Sequence, residues 1–253
     1  NIWKKFNMNS ISPNLNLMIK AAEKASKILI RDFGEVEKLQ VSLKGPNNFV
    51  TNADRKVEEV VINELEKSKR NFSILTEESG LIEKKDKDNF WIIDPIDGTT
   101  NFLNGVPHFC ISIALQIEKE IVAGVTYDPI KDEIFYAEKN GGSYLNNKSI
   151  RVSKKNDISS CLYGVNFRKN IPENLIIRHT GSAALDLAYV SCGRFDGCLQ
   201  KNVNLWDIAA GTILIKEAGG IVDNFELKEF SKISIKASNE RISNDLNKKI
   251  KIF

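Results

Sequence analysis

The stretch WIIDPIDGTTNF, residues 91–102, holds the densest chemical pattern in this 253-residue chain. Its apolar beginning predicts a buried β-strand, and the change to Asp94-Pro95 predicts that the strand ends there. A turn forced by the proline then separates Asp94 from Asp97, so both carboxylates are expected to point into one small volume. Such a cluster needs cations, and carboxylate oxygens suit hard ions, above all Mg²⁺.

The residues after Asp97 predict an anion site beside those cations. Gly98 and Thr99 stand at an expected helix start, where unpaired backbone N–H groups and the helix dipole favour a phosphate. Taken alone, Asp97-Gly98 could equally be a turn with a helix N-cap. The chemistry of this stretch therefore depends on what other segments supply.

Two further acidic segments have the same character. Thr76-Glu77-Glu78-Ser79 follows an apolar strand expected at residues 72–75, and Trp206-Asp207 opens a helix that ends at residues 217–220, EAGG. Each has an ordinary explanation, because paired glutamates in a loop are usually solvated surface. An aspartate in a first helical turn usually interacts with the helix dipole.

Hydrophobic periodicity predicts helices and strands in alternating blocks. Amphipathic helices are expected at residues 12–34 and after Asn52, followed by strands at residues 90–93 and 109–117. Residues 121–127, 133–138 and 160–166 continue as a mostly hairpin-connected sheet. Residues 182–192 and 206–218 are expected to be helical, with a strand at residues 195–200 between them. Pattern alone does not fix how these elements are connected in space.

The acidic segments, in their order and separation, resemble the signature of the inositol monophosphatase family. Residues 94–102 resemble its first motif, and residues 205–211 with 217–220 resemble its second. Residues 44–54 and 181–184 add further matches, so the resemblance covers the chain from about Asn14 to its end.

This resemblance implies an α/β layered fold, the α-β-α-β-α sandwich shared with fructose-1,6-bisphosphatase-like sugar phosphatases. Residues 14–253 would form a single domain with two α+β halves, at about 14–150 and 151–253. Residues 1–13 would be an N-terminal extension outside the fold.

The resemblance also implies a site of two or three Mg²⁺ ions. Glu77, Asp94 and the backbone carbonyl of Ile96 would hold the first ion, while Asp94, Asp97 and Asp207 would hold the second. The first ion would activate a water for attack on phosphorus, and the second would neutralise charge on the leaving oxygen.

Other residues are assigned by the same resemblance. Glu77 and Thr99, the latter hydrogen-bonded to Asp54, would orient the attacking water. Donors at Gly98 and Thr99, together with Lys44, would bind phosphate oxygens. The remaining substrate would be contacted by Asp97, Gly181, Ser182, Ala183, Gln200 and Asp207.

Two departures from the family pattern concern the second half. The connection from Arg168 to Arg178 is short, so a helix that normally precedes Gly181 is expected to be missing. Gln200 stands where well-known members have a glutamate that accepts hydrogen bonds from inositol hydroxyls. An amide is a weaker acceptor and also brings donors.

The expected activity is Mg²⁺-dependent, lithium-sensitive hydrolysis of a small polyol phosphate, most directly inositol 1-phosphate. Related activities on sugar bisphosphates or adenosine 3′,5′-bisphosphate are the alternatives within the fold. A different class of function is an accessory role in transcription or RNA processing, through contact with the transcription machinery. The resemblance also favours a homodimer.

Composition agrees with an ordinary globular protein. The hydrophobic fraction is 42%, the charged fraction 27% and the formal net charge +3, which argues against nucleic acid as the main ligand. The four cysteines include no C-x-x-C pair and there are two histidines, so a zinc site is disfavoured. No apolar run reaches the roughly 18–20 residues that span a bilayer. We therefore expect a cytoplasmic protein without a membrane partner.

Overall fold

The computed structural model describes residues 11–39, 46–169, 171–223, 225, 227 and 231–250. The first helix, α1 (Pro13–Leu39), begins as predicted, because the Ser12 hydroxyl oxygen accepts the backbone N–H of Leu15 at 3.1 Å. Its predicted end at Gly34 is wrong. A Cβ at Gly34 would meet nothing within 4 Å, and a helix tolerates one such glycine at a cost of about 1 kcal/mol.

The second helix, α2 (Pro46–Leu65), begins earlier than predicted. Proline suits a first helical position, since the missing N–H is one that a helix start leaves unpaired. Its apolar side chains pack beside those of α1 in one cluster, which includes Val57, Val61 and Leu65.

The first sheet has eight strands in the order β2-β1-β3-β4-β5-β6-β7-β8. Strand β1 pairs in parallel with β3, and the other neighbours are antiparallel, as the predicted hairpins require. The strands are β1 (Phe72–Thr76), β2 (Gly80–Ile82), β3 (Asp86–Asp97), β4 (Cys110–Ile117), β5 (Glu120–Asp128), β6 (Glu133–Glu138), β7 (Gly142–Leu145) and β8 (Lys148–Ser149).

Strand β3 runs past the proline, so the predicted end at Asp94-Pro95 is wrong. Asp94 pairs with Ser112 and Asp97 with Cys110, and the register shifts between these two pairs. Because Pro95 has no N–H to donate to the ladder, a bulge forms there and the strand resumes beyond it. The short helix α3 (Thr99–Leu103) follows.

The second sheet has the order β10-β9-β11-β13-β12. Its strands are β9 (Leu162–Val165), β10 (Ile176–Arg178), β11 (Gly197–Val203), β12 (Gly220–Val222) and β13 (Ile233–Asn239). The prediction that residues 160–166 continue the first sheet is wrong, because β9 pairs in parallel with β10 and β11. A parallel pair needs a long crossover, and the chain that connects β9 to β11 runs through β10 and α4 (Ala183–Ser191).

Five layers stack on one another. Helices α1 and α2 cover one face of the first sheet, and α4 with α5 (Leu205–Glu217) fills the space between the sheets. Helix α6 (Glu240–Lys249) covers the far face of the second sheet through Ile242 and Leu246. The α-β-α-β-α sandwich implied by the resemblance is confirmed, while the boundaries of its domain and halves stay predictions.

Helix α5 is buried on all sides, as expected of a helix between two sheets. It approaches β5 so closely that a Cβ at Gly124 would lie 2.7 Å from the carbonyl oxygen of Ala210. Any side chain at Gly124 would therefore push the helix from the sheet, and the residues that α5 carries would move with it.

The connection from Arg168 to Arg178 contains no helix among its described residues, in agreement with its short length. It ends in the edge strand β10, where Ile176 is 45% exposed. Among all the helices that the structure describes, none combines the length and apolar character needed to cross a membrane.

Candidate metal and phosphate site

Three buried or partly buried carboxylates meet where the first sheet adjoins α5. Asp94 and Asp97 come from the two sides of the β3 bulge, and Asp207 comes from the first turn of α5. One oxygen from each lies within 4.8 Å of the others, which brings together the residues predicted for the second ion. The bulge matters because it turns two residues of one strand toward the same point.

Each of the three carboxylates uses one oxygen to accept a backbone N–H. Asp94 Oδ1 accepts from Ile96 at 3.0 Å, and Asp207 Oδ2 accepts from Asn204 at 2.7 Å in a capping box. Asp97 Oδ2 accepts from the Ala184 backbone at 2.8 Å, and from the Ser182 hydroxyl. One oxygen of each carboxylate is thereby held in place, and the three carboxylates together form a set of hard oxygen donors that fits Mg²⁺.

Burial and mutual repulsion raise the pKa of these acids. Burial, then Asp207, raises the pKa of Glu77 and that of Asp97 to about 7. Burial, then Glu77, raises the pKa of Asp94 well above its ordinary value. Buried carboxylates without a counter-charge favour protonation, and a divalent cation would stabilise their ionised form. This concentration of charge is the electrostatic signature of a metal site.

The residues predicted for the first ion lie at the same place. Glu77, in the loop after β1, and Ile96, in the β3 bulge, line one cavity with Asp94. The Ile96 carbonyl oxygen accepts the hydroxyl proton of Thr99 at 2.8 Å. The predicted hydrogen bond from Thr99 to Asp54 is therefore wrong, because Thr99 turns its hydroxyl back onto the preceding bulge.

Asp54 lies on α2, is 4% exposed and is not among the residues that line the cavity. Burial, followed by the charges of Glu78, Glu77 and Glu58, raises its pKa to about 8. Asp54 thus belongs to the acidic neighbourhood without lining the cavity. Lys44, predicted to bind phosphate, lies outside the described residues.

Gly98 sits at the start of α3 with φ 97°, a left-handed conformation that favours glycine. A Cβ there would also lie 2.9 Å from the His108 carbonyl oxygen, so the position has no room for a side chain. Gly98 and Thr99 face the cavity beside the carboxylates, where backbone donors can meet a phosphate.

The cavity has a volume of about 460 Å³, enough for a small phosphorylated alcohol. All the residues predicted to bind metal, phosphate or substrate or to act in catalysis line this cavity, except Lys44 and Asp54. The lining residues are Glu77, Asp94, Ile96, Asp97, Gly98, Thr99, Gly181, Ser182, Ala183, Gln200 and Asp207.

Sequence reasoning missed two charged residues of the cavity, Asp186 and Arg168. Asp186 accepts hydrogen bonds from Thr180 at 2.7 Å and Gln200 at 2.9 Å, and burial raises its pKa to about 7. Its signal was a single acid inside the apolar run AALDLA, which an amphipathic surface helix would not place there. Arg168 brings a positive charge to the cavity and has no such signal in the sequence.

Comparison with known proteins identifies the same family. The sequence model described as "Inositol monophosphatase family" matches residues 11–251. An inositol-1-monophosphatase of Mesorhizobium japonicum is 43% identical over 94% of this chain and 96% of its own. The Nus factor SuhB of Pasteurella multocida is 42% identical over 85% of this chain and 86% of its own.

The fold has a similar counterpart among solved structures. The extragenic suppressor protein suhB from Bartonella henselae superimposes with a TM-score of 0.84 at 40% identity, covering 94% of this chain and 98% of that one. The chain therefore belongs to the inositol monophosphatase family and is a phosphatase.

Proposed function

We propose that the protein hydrolyses a small polyol phosphate monoester, most directly inositol 1-phosphate, with Mg²⁺ bound at the carboxylate cluster. The observation that carries this proposal is the arrangement of Asp94, Asp97 and Asp207, whose oxygens lie within 4.8 Å at the wall of the cavity. A set of hard oxygen donors beside backbone donors for phosphate matches Mg²⁺-assisted ester hydrolysis.

Glu77, Asp94 and the Ile96 carbonyl would hold one ion, and Asp94, Asp97 and Asp207 the other. Bound there, Mg²⁺ supplies an acidified water and charge neutralisation at the leaving oxygen. Backbone donors at Gly98 and Thr99, with Lys44, would hold the phosphate oxygens.

The remaining residues would position the reactants. Glu77 and Thr99 would orient the water, with Asp54 behind them in the acidic neighbourhood. Gly181, Ser182, Ala183 and Gln200 would contact the alcohol part of the substrate, at the end of the cavity formed by the second half.

The test is phosphate release from a panel of esters with and without Mg²⁺. The panel contains inositol 1-phosphate, glycerol 2-phosphate, fructose 1,6-bisphosphate and adenosine 3′,5′-bisphosphate. We expect Mg²⁺-dependent release, fastest from inositol 1-phosphate and lowered by millimolar Li⁺ at saturating Mg²⁺. Faster release from a bisphosphate would make that bisphosphate the proposed substrate in place of inositol 1-phosphate. Mg²⁺-independent release would overturn the metal assignment.

A second function is favoured by the relatives named Nus factor SuhB, including one from Escherichia coli that is 40% identical over 84% of this chain. We propose that this protein, a homodimer in the cytoplasm, also contacts the transcription machinery. The two functions can be tested separately in cells in which the Asp94→Asn variant replaces the wild-type protein. Normal transcription in these cells and a transcription defect in the full deletion would support the second function, whereas equal phenotypes would contradict it.

A further inference from the structure

Gln200 is a buried amide in the wall of the cavity that uses only half of its hydrogen-bonding capacity. It lies on β11, is 1% exposed and lines the cavity. Its Nε2 group donates to Asp186 Oδ2 at 2.9 Å and to Cys198 Sγ at 3.2 Å. Its Oε1 atom has no hydrogen-bond partner among the residues that the structure describes.

Asp186 determines which way this amide points. Its Oδ1 accepts the Thr180 hydroxyl at 2.7 Å while its Oδ2 accepts Gln200, so both of its oxygens are already occupied by donors. Because both oxygens accept hydrogen bonds, the NH₂ side of the Gln200 amide faces the carboxylate. The opposite orientation would set two oxygens against each other.

Asp186 itself has little freedom to move. It lies on α4, is 2% exposed, and packs so tightly on β9 that a Cβ at Gly164 would lie 2.5 Å from its Cγ. The carboxylate is thus fixed by packing and by Thr180, and the amide is fixed by the carboxylate. The Gln200 Oε1 atom is thus an acceptor with a fixed direction. A buried acceptor without a donor costs stability, and a donor group on a bound ligand would remove that cost.

We propose that Asp186 is a positioning residue for substrate recognition, which holds Gln200 so that its oxygen accepts a hydroxyl of the alcohol part of the substrate. This inference rests on the proposed phosphatase function and narrows its substrate class. The site selects phosphate esters whose alcohol carries a further hydroxyl donor, and disfavours esters of the same charge that carry none. Gln200 acts as an acceptor alone, because Asp186 and Cys198 take its donors.

The experiment compares KM and kcat for inositol 1-phosphate and for phenyl phosphate, whose alcohol part has no hydroxyl group. The proteins are the wild type, Asp186→Ala, Gln200→Leu, the double variant and Asp128→Ala. Asp128 is a matched control, because it is fully buried, accepts hydrogen bonds from Ile130 and Lys131, and lies outside the cavity.

We expect Asp186→Ala to raise KM for inositol 1-phosphate about 5- to 10-fold relative to KM for phenyl phosphate, the equivalent of one hydrogen bond. The ratio of the two kcat values should stay as in the wild type. Adding Asp186→Ala to Gln200→Leu should change nothing further, because there is no amide left to orient. Asp128→Ala should keep the wild-type ratio of KM values.

Equal KM changes for both esters, or an additional loss on the Gln200→Leu background, would overturn the inference. If Asp186→Ala does not melt cooperatively, Asp186→Asn takes its place with the same expected direction, because asparagine no longer dictates the orientation of its partner.

If the wild type releases phosphate from neither ester, the proposed phosphatase function has failed. The inference is then tested by calorimetric binding of inositol 1-phosphate in the presence of Ca²⁺. Tighter binding by the wild type than by Asp186→Ala supports it, and equal binding overturns it.

Discussion

At the scale of single residues, Asp97 combines two roles. Its Oδ2 atom accepts the Ser182 hydroxyl and the Ala184 backbone N–H, both from the start of α4, and one of its oxygens belongs to the carboxylate cluster. Asp97 is therefore both a candidate ligand and a tie between the first sheet and the middle helix layer. Its replacement would disturb metal affinity and the position of α4 together.

Asp94 offers a cleaner test, since the backbone N–H that its carboxylate accepts comes from nearby Ile96 in the same strand. We expect Asp94→Asn to lower kcat by about 1,000-fold or more, because a shared Mg²⁺ ligand is lost while the side-chain volume is kept. The melting temperature of the metal-free protein should not fall, since asparagine is uncharged like the protonated carboxyl that burial favours at Asp94. Asp88→Asn, at an exposed position of the same strand, should match the wild type in both assays. Near-normal turnover by Asp94→Asn would contradict the shared-ligand assignment.

Gln200→Glu would introduce the glutamate of the well-known family members. From the sequence, this change is expected to raise kcat/KM for inositol 1-phosphate selectively. The structure alters that expectation, because the new carboxylate would meet Asp186 at the present 2.9 Å contact, and two such groups share one proton.

The kcat/KM of the variant for inositol 1-phosphate should therefore fall as pH rises above about 7. In the wild type, where its neighbour is a neutral amide, Asp186 already has a pKa of about 7. Burial is the cause of that high pKa, and a second carboxylate would raise it further. Parallel pH profiles of the variant and the wild type provide the measurement. Profiles of the same shape would show that the two side chains do not interact.

At the scale of elements, strands and helices with a strong period were predictable and the way they are joined was not. Alternation along residues 109–117 and 133–138 reported half-buried strands directly. The sequence predicts a strand end at Pro95, whereas β3 continues past Pro95 through a bulge. Strands β9 and β11 pair in parallel although β10 and α4 lie between them in the chain, and no local sequence pattern predicts such a distant pairing.

The site divides in the same way. Carboxylates inside contiguous motifs, such as Asp94 and Asp207, were found because their spacing is local. The Thr99 hydroxyl was assigned to the wrong acceptor because a side-chain rotamer is decided by packing. Asp186 was missed because its role arises only when α4 and β11 lie side by side.

The short connection before β10 is the segment at which we expect the free energy of unfolding to be easiest to increase. It contains no helix among its described residues and leaves Ile176 exposed at a sheet edge. Inserting a helix of family length between Arg168 and Ile176 should raise the free energy of unfolding, at about 25 cal/mol per Å² of apolar surface that it buries. A Gly/Ser insert of equal length serves as the control. If both inserts give the same urea midpoint and the same sedimentation coefficient, the connection is not a weak point.

At the scale of the whole molecule, the site joins elements that lie far apart in the chain. Asn101 illustrates the junction, because its Nδ2 group donates at 2.8 Å both to the His108 carbonyl and to the Thr180 carbonyl. The carboxylates likewise come from β3 and from α5. Loss of either element would therefore remove the site, and the elements on its two sides are expected to unfold together.

The carboxylate cluster should make stability depend on pH and on metal. The pKa values of Asp54, Glu77 and Asp97, about 8, 7 and 7, are raised above their ordinary values, chiefly by burial. The folded protein then holds protons that the unfolded chain releases. The free energy of unfolding of the metal-free protein should consequently be highest below about pH 4 for these groups and fall as pH rises to about 8.

Saturating Mg²⁺ should reduce or reverse this fall, because the ion stabilises the ionised carboxylates of the folded state. Urea unfolding at about pH 5.5 and pH 8, in EDTA and in Mg²⁺, measures the effect. Asp97→Asn, which has one titrating group fewer, should show a smaller fall in EDTA. A free energy that does not change with pH in EDTA would mean that these acids do not titrate together.

The position of α5 also has a consequence for synthesis of the chain on the ribosome. The first sheet is covered on its second face by α5, yet β6 is complete at Glu138 and α5 only at Glu217, 79 residues later (217 minus 138). At roughly 5–20 residues per second, that interval lasts about 4–16 s. Throughout it the growing chain presents an uncovered apolar sheet, such as the surface around Phe135 and Ala137. We therefore expect this protein to depend on chaperones during translation more than a protein whose layers are completed in chain order.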